Sequence, residues 1–137
     1  MKIIHLILLA IISIAPNSSL AEDDPIINEL YISNTGLSGN PFNYPKGESE
    51  IRILKVIFPV GTKSPVHTYP APMMVYMQQG VINHYTGNKV RTFKAGDAWI
   101  ESNFDPKHYI ESTGNVPAVL LLGVSTVKGL PLLQIVD

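Results

Sequence analysis

Hydrophobic and polar positions change rhythm once along this chain. Ile3 to Ile14 is an apolar run interrupted only by His5 and Ser13. Beyond Pro16 the apolar residues come in short blocks, each stopped by glycine or proline. Ile51 to Phe58 is rich in β-branched residues and ends at Pro59-Val60-Gly61. Met73 to Gln78 stops at Gly80, and Val81 to Tyr85 runs into Gly87-Asn88, a pair suited to a tight hairpin. Lys89 to Phe93, Asp97 to Glu101, His108 to Ser112 and Ala118 to Val124 continue the series. Short strands at this spacing, parted by turn residues, predict an all-β sandwich or barrel. Beyond residue 21 the longest stretch free of glycine and proline is Glu48 to Phe58, 11 residues, which leaves no room for a helical bundle.

The opening run reads as an address rather than as structure. Lys2 gives it a positive start, and Ile3 to Ile14 falls well short of the ~20 residues a membrane-spanning helix needs. Ser19 and Ala21 place small residues at −3 and −1 of a cleavage after Ala21. The expectation is a signal peptide over 1–21, removed on export to the periplasm or the medium. Residues 22–47 form an extension, with Ile26 to Ile32 read as a lead-in strand or single helical turn. A loop then packs Phe42 and Tyr44 on the outside, and residues 48–137 form the barrel domain.

Charge and cysteine usage narrow the partners. With 10 basic and 11 acidic residues the chain has no cationic surplus for nucleic acid or an anionic membrane. Loss of Lys2 with the leader leaves 9 against 11, so no membrane role is expected after cleavage. The absence of cysteine excludes disulfides, thiolate nucleophiles and thiolate metal sites. Stability must come from one continuous core, which a domain of this size can build.

One stretch is more specific than the rest. Gly61, five residues, then His67-Thr68-Tyr69, Met73 and Gly80 resemble the first motif of the cupin superfamily, a glycine, His-x-His, a glutamate and a closing glycine. Downstream, Ala95-Gly96-Asp97, an apolar strand and His108 resemble the second motif, one residue longer than usual around Asn103 to Lys107. Tyr44-Pro45-Lys46-Gly47, Gly96-Asp97-Ala98-Trp99-Ile100-Glu101 and Gly129-Leu130-Pro131 further resemble small exported single-domain cupins. The resemblance implies a jelly-roll β-barrel, a double-stranded β-helix.

It also implies a metal site, in altered form. Metal-binding cupins bring the two histidines, the glutamate and the second-motif histidine onto one divalent ion. Here His67 and His108 match the first and last ligands, while Tyr69 replaces a histidine and Met73 the glutamate. One reading completes a site from His67 and His108 with Tyr69 or Glu101, for zinc, iron, manganese or copper. A softer variant puts copper among Met73, Met74 and Met77. A second reading keeps the cavity without the metal, with Tyr69, Met73, Tyr76 and Trp99 lining a pocket for a small ligand, and Tyr85 and Phe93 as further candidates. His84 reads as a surface or hydrogen-bonded histidine.

Three functions follow from these readings. They are a ligand- or metal-binding barrel, a metal-dependent enzyme of oxygenase or isomerase type acting on a small polar substrate, and a structural barrel that pairs as a homodimer. The fold alone does not choose between them.

Overall fold

The structure is a computed structural model that describes residues 24–137; the expected signal peptide lies outside the described residues. Nine strands follow in order: β1 (Ser49–Phe58), β2 (His67–Thr68), β3 (Met73–Gln79), β4 (Val81–Thr86), β5 (Lys89–Lys94), β6 (Ala98–Glu101), β7 (Tyr109–Ser112), β8 (Ala118–Val127) and β9 (Gln134–Ile135). Among the described residues no helix is long and apolar enough to cross a membrane. All pairings are antiparallel, in a four-stranded sheet β1-β8-β3-β6, a three-stranded sheet β5-β4-β7, and the short pair β2-β9.

Alternation decides what each strand contributes. On β3, Met73, Val75 and Met77 are buried while Met74 is exposed, because successive side chains leave a strand on opposite faces. On β8, Leu120, Leu122 and Val124 meet them from the neighbouring strand. Ile82 on β4, Trp99 on β6 and Ile110 on β7 join the same core, so both large sheets share one interior. The outer face of the four-stranded sheet stays apolar but uncovered, with Ile53 86 % exposed.

Two turns show why glycine stands where it does. Gly87 has φ 55° at the first central position of the β4–β5 hairpin, as a type II′ turn requires. Gly80 has φ 81°, and a Cβ there would stand 2.7 Å from the Ala118 Cα, so the β3–β4 turn can sit against β8 only without a side chain.

The extension differs from its sequence reading. Ile26 to Ile32 forms neither strand nor helix, and Ile26, Ile27, Leu30 and Ile32 are exposed with no neighbouring strand to pair them. Farther on, the chain is clipped to the barrel. The Ser102 hydroxyl donates to the Pro41 carbonyl at 2.7 Å, and the Asp105 carboxylate accepts the backbone N–H groups of Ser102 and Ser38 at 2.9 and 3.3 Å. Those contacts organise the lengthened Asn103 to Lys107 segment, which runs straight into His108. Phe42 is half-buried and Tyr44 exposed, their rings 6.0 Å apart on the outside of the domain.

Candidate metal and ligand site

His67 and His108 face each other through a backbone bridge. Each donates its N–H to the other's carbonyl, at 2.9 and 3.0 Å, which brings their ring centroids to 4.5 Å. Their rings are set by the same local device. His67 Nδ1 lies 2.7 Å from the Pro65 carbonyl and His108 Nδ1 lies 3.1 Å from the Pro106 carbonyl. A carbonyl can only accept, so Nδ1 carries the proton in each ring and Nε2 presents a lone pair to the interior. The sequence holds both halves of this device as Pro65-Val66-His67 and Pro106-Lys107-His108.

The two Nε2 atoms then differ. That of His67 is taken by the Tyr69 hydroxyl at 2.9 Å. That of His108 is buried without a hydrogen-bond partner.

Glu101 is 2 % exposed on the inner face of β6, directly opposite Met73 on β3. Cross-strand neighbours project to the same side. The carboxylate therefore stands one strand away from the position where the cupin pattern puts its glutamate and this chain has Met73. Trp99 donates its indole N–H to Glu101 Oε1 at 2.7 Å, leaving Oε2 buried and unpartnered.

Of the two sequence readings of His84, the surface one fails and the hydrogen-bonded one holds: it is buried, 3 % exposed, with its Nδ1 3.2 Å from the Thr86 hydroxyl. Its ring stacks on His108 with centroids 4.4 Å apart, and its Nε2 lies 3.1 Å from Glu101 Oε1 without the alignment of a hydrogen bond. His84, Glu101 and His108 thus offer ligand atoms all within 4.8 Å of one another. The available signal was period two, since Ile82 and His84 share a face and an apolar Ile82 directs both inward.

Burial sets the protonation of the group. It lowers the His67 and His108 imidazoles below their ordinary value, so both are neutral at pH 7. Burial, with Glu101 nearby, pushes the Tyr69 phenol well above its ordinary value, and it stays protonated. For Glu101 burial works upward, but adjacent His84, then His108 and the Trp99 N–H, outweigh it and hold the carboxyl below its ordinary value.

Glu101 also borders a cavity of about 130 Å³, lined by His67, Tyr69 and Trp99 among others. Three expectations fail. Tyr76 leaves β3 on the outer face and borders an external groove under Leu30 to Ser33. Met73 is packed in the core and borders a recess near Phe42 and Tyr44, not this cavity. The methionine site for copper does not assemble, because Met74 points outward while Met73 and Met77 are core residues. Tyr85 likewise points away from His84 and stacks on Tyr109, with centroids 4.6 Å apart, whereas Phe93 stacks on Trp99 at 3.9 Å.

No family model matches the sequence, and no curated protein does. Solved structures do. The polyketide cyclase RemF from Streptomyces resistomycificus superposes with a TM-score of 0.55 at 11% identity, over 66% of this chain and 63% of that one. An uncharacterised conserved protein with a double-stranded β-helix domain from Klebsiella pneumoniae gives 0.52 at 17% identity, over 70% and 90%. A cupin-like protein from Thermotoga maritima gives 0.50 at 17%, over 64% and 65%. This chain has the cupin fold. It spans under two thirds of the cyclase and of the Thermotoga protein, and at these identities the likeness speaks for architecture alone.

Against the cupin pattern, the altered motif gains a structural explanation. Where the cupin pattern has a histidine and a glutamate this chain has Tyr69 and Met73, and the residues offering ligand atoms within 4.8 Å of those of His108 are His84 on β4 and Glu101 on β6.

Proposed function

We propose that this protein is an exported cupin-fold binding protein that holds one divalent metal through His84, Glu101 and His108. The observation that carries the reading is the convergence of three buried ligand atoms, His84 Nε2, Glu101 Oε2 and His108 Nε2, none with a hydrogen-bond partner. Orphaned buried polar atoms are rare because each carries its full desolvation cost. Three residues whose ligand atoms lie within 4.8 Å of one another fit a cation. Two imidazoles and a carboxylate suit zinc, iron or manganese, and a three-residue set leaves coordination positions open.

The surrounding residues serve this arrangement. The Pro106 carbonyl fixes the tautomer of His108, and Trp99 steers the Glu101 carboxylate by occupying one oxygen. Tyr69 is engaged with His67, so this pair flanks the group as a neutral hydrogen-bonding wall. A bound metal would supply Lewis acidity towards a ligand oxygen. The Tyr69 hydroxyl, its one proton given to His67 Nε2, keeps an oxygen lone pair able to accept from a ligand donor. The same geometry underlies the enzymatic alternative of oxygenase or isomerase type, separated from binding alone only by turnover of a substrate.

The test is metal analysis of protein purified without chelators, then reconstituted with zinc, ferrous iron and manganese in turn. The expected result is close to one ion per chain, abolished in Glu101→Gln and His108→Ala. Below about a tenth of an ion per folded chain after reconstitution, the reading is wrong.

A further inference from the structure

The cavity beside the metal-binding group has a chemistry of its own. Phe58, Val75, Leu122 and Leu132 make its walls mostly apolar, and Ser64, His67, Tyr69 and Glu101 are the polar residues among them. No lysine or arginine lines it. Natural interiors are close-packed, and an unfilled apolar space forfeits contacts on every side. A chain without disulfides has little reason to keep one unless something occupies it.

Size and charge narrow the occupant. An apolar cavity of about 150 Å³ takes a single benzene, so about 130 Å³ suits a molecule of much the same size, about six or seven non-hydrogen atoms. With no cation bound, the Glu101 carboxylate in the lining disfavours a second anion and favours a hydroxyl donor. We infer that the cavity binds a small, neutral, mostly apolar molecule carrying a single hydroxyl, its ring or chain against Phe58 and Leu122 and its hydroxyl at Glu101. This deepens the proposed function by naming the ligand class, and it rests on that reading only in taking the cavity to be part of the same site.

Trp99 makes the inference directly measurable. It is the protein's single tryptophan, 2 % exposed, and it lines the cavity. Cyclohexanol is titrated into wild-type protein while Trp99 fluorescence is followed, once after chelation and once loaded with the metal that binds best. The expected result is a saturable change with Kd at about 1 mM or below in at least one form. The bulkier 4-tert-butylcyclohexanol in either form, and the anionic cyclohexanecarboxylate in the chelated form, are expected to bind at least about tenfold more weakly. Val56→Phe and Leu132→Phe, which fill the cavity from two different elements, are expected to abolish the change while metal content is unaltered.

No saturable change with cyclohexanol in either form overturns the inference. So does equal binding of the carboxylate by chelated protein, or of the bulkier alcohol by either form, a comparison made on wild-type protein and independent of any variant's folding. The two readings fail separately. Metal bound normally without cyclohexanol binding removes this inference alone, whereas cyclohexanol bound by protein that takes up no metal removes the metal reading alone.

Discussion

At the scale of single residues, position on a strand face decides role more than identity does. Tyr69 and Glu101 were both legible in the sequence as completing donors for His67 and His108, yet their surroundings separate them. The Tyr69 hydroxyl is spent on His67 Nε2, while Glu101 keeps an orphaned oxygen next to His84 and His108. His84→Ala should therefore lower metal affinity at least about tenfold, and Tyr69→Phe should change it by less than about threefold. Competition titration against a chromophoric chelator measures both. A Tyr69→Phe loss as large as that of His84→Ala would make the tyrosine a ligand and displace the set described above. His84 was missed because the cupin pattern has no ligand at its position, so the pattern was allowed to outweigh the alternation that Ile82 reveals.

At the scale of elements, seven strands were visible in the sequence within a few residues of their observed ends. Long apolar blocks bounded by glycine and proline carry that signal locally. The two-residue strands β2 and β9 carry none, because each exists only through its partner: His67 pairs with Ile135 and Thr68 with Gln134 across most of the domain. The placement of Glu101 against Met73 was hidden for the same reason, since register between β3 and β6 is not written in either strand alone. Turns were more legible. Gly80 matters both for its positive φ and for its approach to Ala118, so Gly80→Ala combines backbone strain with a contact against main chain. The expected loss is about 3 kcal/mol or more of stability, read by urea denaturation, against about 1–2 kcal/mol for Gly39→Ala, where positive φ is present but the space is open. Equal effects at the two glycines would mean that the β3–β4 turn does not need its close contact with β8.

At the scale of the whole molecule, a barrel that closes around buried titratable groups couples its stability to pH. His67 and His108 are held below the ordinary imidazole value of about 6.5 by burial, among His84, Glu101 and Tyr69 and against the raising influence of the Glu101 charge. In the unfolded chain both would titrate near that ordinary value. As pH falls through about 6.5, the unfolded state binds protons that the folded state refuses, so unfolding is favoured. The contribution of these groups is complete above about pH 6.5 and is lost as pH drops toward their folded values. Glu101, whose folded value is also depressed, adds a loss of the same sign below the ordinary carboxyl range. Chelated protein should therefore show a urea midpoint that declines between pH 7.5 and 5.5 without a change in slope. Metal-loaded protein should start higher, because a ligand bound only by the native state stabilises it, by about 2.7 kcal/mol at a hundredfold excess over Kd. Its decline should be steeper, since protons then also compete with the ion for His84 and His108. His67→Gln with His108→Gln, compared at both pH values in the chelated state, isolates the histidine contribution, and a pH dependence unchanged by that pair would place the acid sensitivity elsewhere in the fold.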